Sequence, residues 1–596
     1  VRSRQALRYA VPVVVLALGA AACGSSDDDK SDGGSPSSSA SASNLKKGGT
    51  LKVLGEEDIA NWDTAPAYDT NSYHVLRTLQ RQLYTNAASN DDNKRLPNQP
   101  DVAAALPEIS SDGLTYTIKI KQGVKWNSSP ARQVTSQDAV RGFKFMCNPI
   151  KPFGAIGYYT DTIDGMKQFC DGFAAVTGQD AASLKAYTEA NQVSGITAPD
   201  DQTLVIKLKS PAADFIHLLT LPTVSPRPVE AEQYVPDSPD YRQHIVNDGP
   251  YQVQSYVPDK SATLVRNPAW DASTDPVRAA YVDQIDLTFG IDQANIQTQL
   301  LAGTGDVPLG NTQPAAADLA QVPEGDPNLE LHPTGGQNPY AVFNTVGGNE
   351  ALKKKEVRQA INYAFNKRNL VQSAGGTRVA KPTGQIFGKS VVGEGWVEHD
   401  KYKTDGFAGD PTKAKKMLAE AGYPNGLTLT LVYRASGNGP KYAETIQQDL
   451  KASGITINLL SQPNKDFYTN FLQKTDITAQ GKWDIALPGW SPDWEGASER
   501  SFFTPLLDGR VYGEGTTNYG KYDSDAVNTA ADKALATTDQ ASSAKQWNDI
   551  DDMIMDDAPW VPIFLQTQAS YHSAKVTNFQ YYFSGSNGDL TQFALK

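Results

Sequence analysis

Helix and strand signals alternate along nearly the whole of this 596-residue chain, and that alternation limits its fold more than any other feature. Apolar side chains at every second position predict strands over Thr50–Leu54, Leu114–Val124, Thr203–Leu208, Leu427–Tyr433 and Ile455–Leu460. In the second of these, Leu114, Tyr116, Ile118 and Ile120 share one face of a half-buried strand. Helical spacing predicts helices over Asn71–Tyr84, Thr135–Phe145, Phe215–Leu219, Lys355–Val371, Thr412–Ala421 and Tyr442–Ser453. Thr135, Ser136 and Asp138 make an N-cap signature, and Gly422 and Gly454 stand where helices stop. After Gly249-Pro250 a two-strand stretch turns near Pro258-Asp259. Such alternation packs as α/β layers with a mainly internal sheet in each lobe. No segment repeats at a solenoid period.

The first 44 residues have a different character. Arg2, Arg4 and Arg8 precede an apolar run, Ala10–Ala22, that stops at Cys23. A positive start, a short apolar core and a small-residue exit predict a secretory signal peptide over 1–22. The run is shorter than the roughly 20 residues that a bilayer-spanning helix needs. Ala20-Ala21-Ala22-Cys23 resembles a bacterial lipobox, which implies a diacylated Cys23 as the mature N-terminus. Residues 23–45 are Ser-, Gly- and Asp-rich and cannot bury a core, so they predict a flexible tether. The expected location is therefore extracytoplasmic, on the outer face of the cell membrane, with the lipid as the sole membrane attachment.

Composition bounds what the tether carries. The remaining residues suffice for two or more lobes with sizeable cores. A net charge of −13 argues against nucleic acid or anionic lipid as the main partner. The 26 tyrosines and 9 tryptophans suit a pocket with apolar walls and polar tips, or simply core. With Cys23 lipidated, Cys147 and Cys170 remain as a pair in an oxidising compartment and predict a disulfide, two buried free thiols being the alternative.

Catalytic signatures do not accumulate. There is no Gly-x-Ser-x-Gly elbow, and the 6 histidines are scattered without a metal-binding spacing. Gly384-Gln385-Ile386-Phe387-Gly388-Lys389-Ser390 mimics a phosphate loop but is one residue short and follows Lys381-Pro382, not a buried strand. Asp551-Asp552 and Asp556-Asp557 read as a solvated helix face. The residues predict no cofactor, no metal site and no enzyme.

Six blocks, in order, carry a resemblance. They are Asp112–Phe143, NDGPYQV (Asn247–Val253), LVRNPAWD (Leu264–Asp271), EVRQAINYAFNKRNLV (Glu356–Val371), GDPTKAKKMLAEAGYPNG (Gly409–Gly426) and WDIALPGWSPDWEGASERSFF (Trp483–Phe503). Together they resemble the family-5 extracellular solute-binding proteins of ABC importers, the group with oligopeptide and dipeptide binders. The resemblance implies a two-lobed, class II periplasmic-binding-protein-like clamshell with an extra subdomain. Lobe one would span 46–86, 200–325 and 560–596, the subdomain 87–199 and lobe two 326–559. Solute would be enclosed between the lobes and delivered to ABC permease subunits by a monomeric protein.

The resemblance also implies a site. Asp493, three residues after Gly489-Trp490, would accept a ligand α-ammonium group, since a desolvated ammonium needs a charge-assisted acceptor. Trp490 would supply a flat wall, with Ser491 beside it, and Tyr158, Tyr159 and Asn311 fall at further ligand positions. An arginine that the oligopeptide binder carries before the Gly-Trp pair is replaced here by Ala486-Leu487-Pro488, and a cleft tryptophan by Asn464. These departures leave non-peptide solutes open, such as a nickel complex, a sugar or an opine. A peptide-sensing surface receptor would use the same fold, and a secreted hydrolase is the remaining alternative.

Overall fold

The computed structural model describes residues 45–435, 437–463, 466–513, 515–583 and 587–596. The expected signal peptide, Cys23, the tether before residue 45 and Asn464 lie outside these.

The chain folds as a two-lobed α/β protein. In the first lobe five strands run in the order Tyr251–Val257, Ser261–Arg266, Gln284–Thr288, Thr50–Leu54, Val307–Pro308. Thr50–Leu54 is parallel to both of its neighbours, and the hairpin side is antiparallel. Leu51, Val53, Leu264, Ile285 and Leu287 build its core with Trp62 and Leu79, and Tyr581 and Phe593 come back to it from the chain's last stretch.

The second lobe orders its strands Ile455–Gln462, Leu427–Arg434, Ile485–Ala486, Ala341–Phe343, Trp560–Val561. The first three are parallel and the last two antiparallel to their neighbours. Side chains alternate between two cores, as a pleat with both faces covered requires. Leu429, Leu431 and Ile485 pack under the helices Lys355–Ala364 and Gly439–Lys451. Val432, Ala486 and Trp560 face Asp525–Ala536 and Gln540–Asp557.

A third core belongs to the four-stranded antiparallel sheet Glu108–Ile109, Thr115–Lys119, Thr203–Lys207, Ile196–Asp200 and the helices beside it. There the sulfurs of Cys147 and Cys170 are joined, with Cα atoms 5.5 Å apart, tying the end of helix Ser136–Phe145 to helix Met166–Ala174. Two strands cross between the lobe sheets, Leu329–Pro333 outward and Phe564–Tyr571 on the return, and they pair antiparallel. Among the described residues no helix is long and apolar enough to cross a membrane.

Two helix expectations change. The helix expected over Asn71–Tyr84 runs only Thr70–Leu79. Beyond it the Arg81 N–H donates to Asp248 (2.9 Å) and the Gln82 N–H to Asp101 (3.1 Å), so buried carboxylates capture donors that a continuing helix would use. The helix expected over Lys355–Val371 splits into Lys355–Ala364 and Lys367–Ala374. Asn366 caps the second by accepting from the Asn369 N–H at 3.0 Å.

Candidate functional site

The short strand Ile485–Ala486 is buried at the middle of the second lobe's sheet, and the chain leaves it through Leu487-Pro488-Gly489. Gly489 has no room for a side chain, since a Cβ there would lie 2.4 Å from Asn338 Oδ1. Its N–H donates to the Tyr468 hydroxyl at 3.1 Å. Trp490 and Gln337 exchange two backbone hydrogen bonds, both 2.9 Å, and the indole N–H donates to the Ser501 carbonyl at 2.8 Å. Both the backbone and the ring of Trp490 are thereby fixed, and Asp493 leaves the loop in a set direction.

Asp493 meets residues from two other parts of the chain. Its Oδ2 accepts from the hydroxyl of Tyr68 at 2.9 Å and from that of Tyr158 at 2.6 Å. Tyr68 precedes the helix Thr70–Leu79 of the first lobe, and Tyr158 lies on the short helical turn Gly157–Thr160. Burial pushes the Asp493 carboxyl up to about 6, against the pull of the two tyrosine hydrogen bonds, although the side chain keeps some exposure. Both phenols are driven well above their ordinary value, first by burial and then by the Asp493 charge. The result is a partly desolvated carboxyl with one oxygen occupied, poised to gain from a cation.

The other expected residues are placed differently from one another. Trp490 is half-buried and Ser491 exposed. Tyr159 turns away from Asp493: it is fully buried, donates to the Leu218 carbonyl at 2.8 Å, and packs edge-on against Phe143. Asn311 is exposed and lines an open depression of about 670 Å³ with Asp58, Asp69, Asn71 and Tyr256. The phosphate-loop mimic holds a carboxylate of the protein itself, the Ile386 and Phe387 N–H groups donating to Asp551 at 3.1 and 2.7 Å. Among the described residues no cluster of acidic, histidine or cysteine side chains could hold a metal ion.

Several site residues carry no local sequence signal. Tyr68 is one; its role rests on a partner 425 positions away. Arg434 is another. It ends the strand Leu427–Arg434, donates to Asn338 Oδ1, and stands 5.9 Å from the Tyr468 ring centroid. With Asn338, Tyr433, Gln313 and Gln566 it lines a cavity of about 580 Å³. No carboxylate of the described residues pairs with it.

Comparison with known proteins agrees with this layout. The family profile described as bacterial extracellular solute-binding proteins, family 5 (middle) matches residues 98–511. A heme-binding protein A from Haemophilus influenzae is 26% identical over 78% of this chain and 79% of its own length. A dipeptide-binding protein from Lactococcus lactis subsp. cremoris is 25% identical over 90% of this chain and 93% of its own. The solved structure of clavulanic acid biosynthesis oligopeptide binding protein 2 superposes with a TM-score of 0.81 at 24% identity, covering 92% of this chain and 96% of the other.

Proposed function

The chain belongs to the family-5 bacterial extracellular solute-binding proteins, and from that premise we propose that it captures peptides, or a similar amine-bearing solute, between its lobes for an ABC importer. One observation carries the reading: a half-buried carboxyl, Asp493, held by two tyrosines from elsewhere in the chain and raised to about 6 by burial. A ligand ammonium restores to that carboxylate the stabilisation that burial removes. Arg434, which has no carboxylate partner among the described residues, supplies the opposite charge for a ligand carboxylate. The relative named for dipeptide binding supports a peptide solute.

In this reading Trp490 is the wall of the ligand pocket and Ser491 and Tyr158 contact the solute. Tyr159 packs in the core against Phe143 and Phe153, and Asn311 belongs to the rim. The protein is a monomer that returns its ligand unchanged to permease subunits, without catalysis. Cys23 carries the lipid, residues 23–45 are the leash, and the lobes divide at 46–86, 87–199, 200–325, 326–559 and 560–596. Mass spectrometry of solute that co-purifies with the protein, followed by calorimetry with that solute free and N-acetylated, tests the reading. Loss of binding on acetylation is expected, and equal affinity for both forms refutes amine recognition.

A further inference from the structure

The segment that follows Asp493 reaches further than ligand recognition requires. Trp494 is only 3% exposed, and its ring lies in the core built by Ala65 and residues 83–224, not in its own lobe. Its centroid is 5.7 Å from Tyr158, edge-on, and 6.4 Å from His217, nearly parallel. Glu495 receives Arg95 bidentately, at 2.7 Å from Nε and 2.6 Å from Nη2. Arg500 pairs with Asp214 through two hydrogen bonds, the Nη2–Oδ1 one at 2.9 Å. Side chains of both ion pairs are between 7% and 11% exposed. Nearby, the Ala213 N–H donates to the Leu535 carbonyl at 3.1 Å, a backbone link between the same two bodies.

These contacts join protein to protein. A tryptophan seated in a foreign core and flanked by desolvated, bidentate ion pairs is the anatomy of an interface hot spot, where a few buried aromatic and arginine anchors carry most of the energy. Here all of them except the backbone link come from residues 493–500. Parting the lobes would withdraw the Trp494 ring and expose both ion pairs together.

We propose that residues 493–500 form a latch, with Trp494 as its bolt, that closes the lobes through the protein's own contacts. The solute then enters through a transient opening, and the latch sets its exchange rate. The kinetic half of this rests on the solute-binding reading above; the closure itself does not. A binding-competent form that opens only fractionally lowers the apparent association rate and makes it saturate at the opening rate.

The test has two arms, on wild type, Trp494→Ala and Asp214→Asn, each dialysed free of solute. Small-angle scattering is expected to show a compact wild type and a larger radius of gyration for both variants. Asp214→Asn removes one ion pair without emptying a core, so it guards against a Trp494→Ala protein that folds poorly. An expanded wild type, or equal radii for all three proteins, overturns the latch. In stopped-flow binding of the co-purified solute, the wild-type association rate should saturate. The variants should saturate roughly tenfold higher, with faster dissociation. Unsaturated association of wild type, at the rate of the variants, overturns the gate. If no amine-bearing solute binds at all, the solute reading fails while the scattering arm still decides the latch.

Discussion

Protonation of Asp493 should compete directly with an amine ligand. Without ligand its carboxyl stands at about 6 because burial outweighs the Tyr68 and Tyr158 hydrogen bonds. An ammonium group beside it favours the charged form and should bring it below the ordinary carboxylate value of about 4. Binding therefore selects the deprotonated carboxylate, and affinity is lost as pH falls through about 6. At about pH 5 roughly one free molecule in eleven carries the ionised form, so affinity drops about tenfold from its value at about pH 7.5. Glu495 and Glu499 are also raised by burial, so their own titration overlaps that of Asp493. The comparison is therefore with Asp493→Asn, which keeps those groups. The mutant should bind more weakly at neutral pH by about 2–5 kcal/mol, the usual cost of breaking a buried charge pair. The wild-type to mutant affinity ratio should shrink about tenfold on acidification. Calorimetry at about pH 6 in buffers of different ionisation enthalpy should find wild type releasing about half a proton more than the mutant. Parallel pH profiles for the two proteins would refute the reasoning.

Other expectations are shorter to state. Tyr158→Phe removes a hydrogen bond that stabilises the Asp493 carboxylate, so the acid limb of binding should move to higher pH; an unmoved limb would count against the Tyr158 contact. Asp101 and Asp275 share Arg81 and Arg278 in full burial, and Asp101→Asn should cost about 3–5 kcal/mol in denaturant unfolding by leaving Asp275 to face two buried guanidinium charges. The Cys147–Cys170 bridge closes a loop with a sequence separation of 23; Cys147→Ser/Cys170→Ser should lose roughly 3 kcal/mol on the chain-entropy estimate, and thiol titration of unfolded, unreduced wild type should find neither sulfur reactive. Cys23→Ser should move the protein from the membrane fraction to the medium or leave a precursor, because firm attachment needs two acyl chains; wild type partitioning into the aqueous phase of a detergent extraction would refute the anchor.

What was legible in the sequence was local. The strand expected over Leu427–Tyr433 and the helix after it announce themselves by period, and the helix expected over Thr412–Ala421 by its stop at Gly422; the structure has them at Leu427–Arg434, Gly439–Lys451 and Pro411–Glu420. The break at Asn366 was also local and readable, because an asparagine three residues ahead of a free backbone donor is a cap. The stop after Leu79 was not readable. It depends on Asp101 and Asp248, whose positions only the folded chain brings to Arg81 and Gln82. The same division runs through the site. Gly489, Trp490 and Asp493 form one contiguous motif, whereas the neighbours Tyr158 and Tyr159 could not be told apart. On a helical turn of 3.6 residues, adjacent side chains diverge by about 100°, so one tyrosine reaches Asp493 while the other enters the core.

That asymmetry bears on how selectivity can arise. A carboxylate open to water distinguishes an ammonium from a neutral group poorly, since exposed ion pairs contribute little. A carboxylate permanently buried would stay protonated and could not attract one at all. Asp493 lies between these limits, half-buried and held by Tyr68 and Tyr158, which belong to other parts of the chain. Its charge is masked only when those parts meet the loop that Trp490 fixes. The discriminating environment is thus made by closure. If Asp493 receives the ligand as proposed, residues 493–500, which supply both the carboxylate and contacts between the bodies, couple the choice of ligand to the act of shutting.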